Sequence, residues 1–106
     1  MLAREFRLHK EKDILKILRT GRRRRNEVLQ IIYSPGQAVN SRACVVVSKK
    51  ITKKAHERNK IRRQIQALLP KYLKNTERPL DIIIRVNSKA ELKQNNFNTQ
   101  IGILLL

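Results

Sequence analysis

The chain has 106 residues, 41% of them hydrophobic, with 25 Lys and Arg against 8 Asp and Glu and a formal net charge of +17. That length fits one domain (residues 1–106) with a modest core, and the apolar share is too high for a disordered basic tail. One cysteine excludes an internal disulfide and a zinc finger, and there is neither an 18-residue apolar run for a membrane span nor an apolar signal-peptide stretch, so a soluble cytoplasmic domain is expected.

Met1 to Lys10 is short and basic, without periodicity, and predicts a partly mobile arm whose Arg4, Arg7 and Lys10 can reach phosphates. Glu11 to Thr20 predicts a helix: Ile14, Leu15, Ile17 and Leu18 form an apolar stripe. Glu11 and Asp13 lie early and Arg19 late, as the helix dipole prefers, and Gly21 supplies a C-cap. Arg22 to Arg25, four consecutive arginines, predicts a solvated turn or a short edge strand blunted by charge, or a phosphate contact.

Val28 to Tyr33 predicts a strand with Leu29, Ile31 and Tyr33 on one face and Val28, Gln30 and Ile32 on the other. Gln30 implies that the second face is not sealed from water. Ser34 to Gln37 reads as a turn. Arg42 to Ser48 predicts the next strand, with Val45 and Val47 on one side and Cys44, Val46 and Ser48 on the other. Cys44 reads as a packing residue rather than a nucleophile, because no nearby His or Asn is spaced to activate it.

A second helix is expected from about Thr52, its N-cap, or a few residues later, to about Leu69. Ile61, Ile65, Leu68 and Leu69 form its apolar face. Pro70 is expected to end it, with Lys71 to Lys74 adding at most a distorted turn. After a polar connection, Leu80 to Val86 predicts a strand whose Ile82, Ile83 and Ile84 are buried on both faces. Lys89 to Lys93 carries a short helical pattern, and Phe97 to Leu106 a weak one. Gly102 costs that last helix about 1 kcal/mol relative to Ala.

Charge is densest from Val47 to Arg63, where nine of seventeen residues are Lys, Arg or His. On a helical projection His56, Asn59, Lys60 and Arg63 lie opposite the apolar face and Arg62 at its edge, while Arg58 falls about 60° from Ile61. An arginine so close to the core needs a partner; Glu57 and Asp81 are candidates, unless the first turn overhangs the sheet. The net charge asks for a polyanion, whether RNA, DNA or an anionic membrane surface. Neutralising 6–10 phosphates would make affinity fall roughly 10³–10⁵-fold between 50 and 200 mM salt.

Catalytic machinery is missing from the pattern. His9 and His56 are the only histidines, the carboxylates are scattered, and three glycines build no phosphate loop. No catalytic or metal-ligating residue is therefore assigned. Phe6, Tyr33, Tyr72 and Phe97 are too few for a base-stacking platform, so binding is expected to rest on phosphates, shape and the 2′-OH.

Val47-Ser48-Lys49-Lys50 followed by Ala55-His56-Glu57-Arg58-Asn59-Lys60-Ile61-Arg62-Arg63 resembles the signature of the bacterial ribonuclease P protein component family: a strand ending in Ser-Lys-Lys, then a helix opening with an Arg-Asn-Arg-type box. Here the third position of the box is Lys60, which keeps the charge and loses the bidentate fork. Arg7-Leu8, Gly21, Arg42 and Leu80 to Ile84 fall in register with the family as well.

The resemblance implies an α+β fold: an α-β-β-β-α-β-α two-layer sandwich with a four-stranded sheet and a left-handed β-α-β crossover. It implies a protein subunit of ribonuclease P that binds the catalytic RNA and the 5′ leader of precursor tRNA. The RNA, with Mg²⁺ held mainly by that RNA, performs the endonucleolytic cleavage. No membrane and no further protein partner is expected. By the same resemblance Ser48, Lys49, Lys50, Lys53, Lys54, His56, Arg58, Asn59, Lys60, Arg62 and Arg63 would face the catalytic RNA. Ile14, Leu18, Gln30, Ile32, Val46 and Ser48 would line the leader cleft.

The family often has Phe at the positions of Ile14 and Leu18 and Tyr near that of Ile32, so stacking on leader bases is expected to be reduced here. Cys44 replaces a common glycine, and a shorter third helix than the family's is expected, since Leu104 to Leu106 stand where the family usually carries a basic extension. A structural RNA-binding protein, such as a small ribosomal protein, shares the size and charge but does not explain the Arg-Asn box beside Ser-Lys-Lys. A stand-alone nuclease lacks its acid and base.

Overall fold

A computed structural model describes residues 2–25, 29–36, 38–74, 76 and 78–86. The helical patterns expected at 89–93 and 97–106 lie outside the described residues. The elements are a 3-10 turn at Arg4–Phe6, α1 (Glu11–Thr20), β1 (Arg22–Arg25), β2 (Leu29–Pro35), β3 (Arg42–Val46), α2 (Ala55–Lys74) and β4 (Leu80–Val86). The strands form one sheet in the order β1-β2-β4-β3. β1/β2 and β2/β4 are antiparallel, and β3/β4 is parallel, with α2 as the crossover that parallel neighbours require.

Alternation along the strands sorts the side chains into two cores. Leu29, Ile31, Ala43, Val45, Val47, Ile82, Ile84 and Val86 pack against Ile61, Ile65, Leu69 and Leu73 of α2, with Tyr33 and Leu68 at the margin. On the reverse face Ile32 and Ile83 pack with Leu8 and Ile17, flanked by Ile14, Leu18 and Cys44. β4 is thus buried on both sides, as its isoleucine run predicts. The sheet and α2 are the two principal layers, and α1 covers part of the opposite face. Among the described residues eight Leu and Ile side chains are completely buried. At about 1.5–3 kcal/mol each, they dominate the favourable side of folding.

Several boundaries differ from expectation, each for a physical reason. The basic arm is docked on the β3 edge rather than mobile. Leu2 and Phe6 enter the larger core, Leu8 enters the smaller one, and the Leu8 N–H donates to the Ala43 carbonyl at 3.0 Å. The arm therefore straddles β3 and covers its open edge.

β2 runs on through Pro35 instead of turning at Ser34. Pro35 pairs with Leu80 beyond the reach of β1, at a strand end where a missing N–H is tolerated. α2 begins at Ala55 and continues through Pro70 to Lys74. Lys54 rather than Thr52 holds the cap position, since its carbonyl accepts from the N–H groups of Glu57 and Arg58, both at 3.1 Å. Gly21 does cap α1, but in an extended conformation (φ −70°, ψ 155°) and not a left-handed one. Its N–H donates to Ile17 O at 2.8 Å. Glycine is required because a Cβ there would sit 2.6 Å from the Ile17 oxygen and 3.0 Å from Ile32 Cγ2.

Candidate nucleic-acid interface

The segment between β3 and α2 is built to display charge from a fixed base. Val47 is buried, and the Ser48 carbonyl accepts from the Ile51 N–H at 3.1 Å. This tight turn puts Ser48, Lys49 and Lys50 in solvent, while Ile51 packs back on the larger core. Thr52 is buried and tied three times: its hydroxyl donates to the Glu57 carboxylate and accepts from the Lys54 N–H at 3.4 Å, and its carbonyl accepts from Arg58 Nη1 at 2.9 Å. Lys53 and Lys54 remain exposed beside this anchor.

Arg58 thus has the partner its position demands, a backbone carbonyl. Of the two carboxylates expected within its reach, Glu57 accepts from the Thr52 hydroxyl and Asp81 is engaged by Arg42. Glu57 in the first turn complements the positive end of the helix dipole, but Lys53, Lys54 and Arg58 oppose it. A helix N-terminus surrounded by cations is a site that a phosphate relieves.

Along α2, His56, Asn59, Lys60 and Arg63 are exposed and Arg58 and Arg62 half-buried, as the projection predicts. Asn59 organises its neighbours: its side-chain oxygen accepts from Arg62 Nη1 at 3.0 Å and its carbonyl from Arg63 Nε at 3.3 Å. Arg7, Asn59, Arg62, Arg63 and Gln66 line a groove of about 450 Å³. Arg7 reaches it from the docked arm, where its Nε donates to Leu2 O at 2.8 Å. Arg7, expected to reach phosphates from a partly mobile arm, lines this groove from an ordered one, because Leu2, Phe6 and Leu8 around it are buried.

The second expected surface is the sheet face beside α1. Ile14 and Leu18 are half-buried there, Gln30 is half-buried, Val46 is 38% exposed and Ser48 is exposed. Ile32 departs from expectation. It has no exposed surface, because α1 lies directly over it, so it supports the cleft from below and does not line it. Cys44 is half-buried at the margin of the same small core; burial pushes its thiol up, against the opposing pull of Arg62, which accords with packing and not nucleophilic chemistry. Among the described residues no group of three His, Cys, Asp or Glu gathers to hold a metal ion, and no helix is long and apolar enough to cross a membrane.

Fold and surface together define a small basic α+β module whose charge is mounted on one loop and one helix face. The family model for ribonuclease P matches residues 2–105, and the chain belongs to the ribonuclease P protein component family. It is 31% identical over 106 residues to the ribonuclease P protein component of Picosynechococcus sp., covering 99% of this chain and 91% of that one. It is 32% identical over 91 residues to that of Pseudanabaena sp., covering 85% and 78%. Its fold is that of the Staphylococcus aureus ribonuclease P protein (TM-score 0.79, 24% identity, 94% and 92% covered) and of the Thermotoga maritima protein (TM-score 0.78, 22% identity, 93% and 94% covered).

Proposed function

We propose that this chain binds ribonuclease P RNA and precursor tRNA and assists the endonucleolytic removal of the 5′ leader, with the RNA subunit performing the hydrolysis. The observation that carries the reading is the anchored basic surface. Lys49, Lys50, Lys53, Lys54, Lys60 and Arg63 stand in solvent on a base pinned by Thr52, Glu57 and Arg58. Pre-organised cations lose little freedom on docking, so a folded RNA gains from each phosphate contact.

In this reading Ser48 to Arg63 docks the catalytic RNA, Arg58 doing so while it holds the loop, and the sheet face beside α1 receives the leader. Mg²⁺ belongs to the RNA subunit; the protein contributes by binding substrate and by screening phosphate repulsion around the reacting strand. The chain acts in the cytoplasm.

The test is reconstitution. Adding the protein to a bacterial ribonuclease P RNA and precursor tRNA at low Mg²⁺ should restore 5′ processing, and the protein without RNA should cleave nothing. Failure to enhance processing with several such RNAs would sink the reading, and cleavage by the protein alone would replace it with a nuclease.

A further inference from the structure

The four arginines of β1 are divided by the strand register between the two faces of the sheet. Arg23 lies opposite Ile32, on the face that α1 covers, and its Nη2 donates to Leu18 O at 2.7 Å. Arg22 and Arg24 lie opposite Tyr33 and Ile31, on the face that packs against α2. Arg24 stands 6.0 Å from the centre of the Tyr33 ring, at the limit of a cation–π contact. Arg22 is exposed and has no carboxylate partner among the described residues. It belongs neither to the Ser48–Arg63 interface nor to the sheet face beside α1.

Arg22 borders a groove of about 450 Å³ together with Tyr33, Pro35, Arg78, Pro79 and Leu80. Clefts that hold small ligands span about 300–1,000 Å³. The walls of this one are fixed. Pro35 pairs with Leu80, the Gly36 N–H donates to the Pro79 carbonyl at 2.8 Å, and the Leu80 N–H donates to buried Ser41 Oγ at 3.0 Å. Its charge is uncompensated. Arg78 is exposed and, like Arg22, lacks a carboxylate partner among the described residues, and the nearby Asp13 and Asp81 are engaged by Arg42. The groove sits at the Leu80 end of β4. The basic loop and the start of α2 lie beyond the Val86 end, seven strand residues or about 20 Å away.

We infer that this groove takes one unpaired nucleotide of the ribonuclease P RNA, its phosphate held by Arg22 and Arg78 and its base laid against Tyr33, Pro35, Pro79 and Leu80. The inference rests on the function proposed above and adds a second point of attachment at the opposite end of the sheet. A rigid apolar wall beside two free guanidinium groups suits a ligand with a flat apolar body and an anionic edge, which a nucleotide has. The nucleotide is unpaired because a base inside a helix is stacked and cannot enter a groove. It comes from the RNA that docks along α2: Tyr33 and Leu80 pack against the larger core, on the α2 side of the sheet, whereas a leader beside α1 runs over the reverse face. Walls already held by the fold lose little freedom when the base enters.

The experiment titrates a bacterial ribonuclease P RNA with the protein, without precursor tRNA. Arg22→Gln and Arg78→Gln should each weaken binding roughly 5- to 10-fold. Each should lower the slope of log K against log salt by about 0.7, and Arg22→Lys should keep the slope. Acylation of RNA 2′-hydroxyls should reveal an unpaired nucleotide that the wild-type protein protects and the Arg22→Gln/Arg78→Gln double variant leaves reactive. That nucleotide should stay protected in Arg63→Gln, whose side chain belongs to the other interface. Unchanged affinity in both single variants, or weaker binding with no nucleotide released, would overturn the inference while leaving the function intact. A loss confined to precursor tRNA binding by the assembled holoenzyme would overturn it as well and give the groove to the substrate. Failure of the wild-type protein to bind the RNA removes the function and this inference with it.

Discussion

Arg42 and Asp81 face each other across the parallel pair β3–β4, and the guanidinium closes on the carboxylate through two hydrogen bonds, Nε to Oδ1 at 3.0 Å and Nη2 to Oδ2 at 2.9 Å. The two side chains keep only 16% and 6% of their surface exposed, and Asp13 of α1 stands 3.8 Å from the same Nη2. Asp81 holds the Arg42 pKa above its ordinary value, chiefly through the hydrogen bond. One cation thus ties two strands and a helix. Asp81→Ala would leave it largely buried beside a single distant carboxylate, and should cost about 3 kcal/mol. The double variant Arg42→Met with Asp81→Leu should recover part of that loss. Urea unfolding of the three proteins measures both; a double variant no better than Asp81→Ala would show that the pair's geometry, not its burial, sets the cost.

Gly21→Ala should destabilise by about 1–3 kcal/mol through overpacking. The new methyl would press on the Ile17 carbonyl and on Ile32, both fixed in the small core. Backbone conformation contributes nothing, since φ is −70°. The distinguishing measurement compares Gly21→Ala with Gly21→Ser. A left-handed cap penalises both equally, whereas a steric cause makes the larger serine worse.

Most of the fold was legible because burial follows period. The 82–84 isoleucine run, the alternation of Leu29 to Tyr33 and Ile14, Ile17 and Leu18 of α1 each fall on the expected face, whereas Leu15, expected in the same stripe, is 51% exposed because it lies about 100° around the helix from Ile14. What was not legible depended on packing between segments far apart in sequence. Leu2, Phe6 and Leu8 form no periodic element, so only the β3 edge shows why the arm is ordered. The position of Ile32 beneath α1 depends on where the helix crosses the sheet, which no local pattern states. In the candidate site, the outward face of α2 could be read from angles alone.

Arg58 and Asn59 should separate docking from stability. Arg58 supports the Thr52 carbonyl from a half-buried position, so Arg58→Ala should lower stability by about 1 kcal/mol as well as weakening RNA binding. Asn59 is exposed, and Asn59→Ala should leave the melting temperature nearly unchanged while weakening RNA binding by freeing Arg62. Paired thermal melts and RNA titrations decide the point. A large loss of stability in Asn59→Ala would assign that residue to the fold instead of the interface.

Cys44 should react slowly. Its thiol is raised by burial, so at pH 8 it holds less thiolate than a free cysteine. Alkylation with iodoacetamide should lag behind a cysteine peptide at pH 8 and approach it only at higher pH. The same shift means that the unfolded chain loses its thiol proton first, so stability falls as pH rises past the ordinary cysteine pKa of about 8.5. Cys44→Ala should remove that part of the alkaline loss, measured by urea unfolding at pH 7 and pH 9.5.

Pro70 ought to have stopped α2, since it offers no N–H to the Gln66 carbonyl and its ring crowds the preceding turn, at a cost of about 3 kcal/mol. The helix nevertheless continues because its last turn carries Leu73 into the larger core, with Tyr72 packed beside it and Lys74 6.0 Å above the Phe6 ring. Burial of Leu73 alone offsets about 1.5–3 kcal/mol. Leu73→Ala should therefore end the helix near Pro70, with amide-exchange protection lost at Lys71 to Lys74 but kept at Ile65. Adding Pro70→Ala to that variant should bring protection back, since the missing hydrogen bond is restored and the ring removed. If protection in Leu73→Ala matches the wild type, packing is not what carries the helix past its proline; if it stays lost in the double variant, the proline is not what stops it.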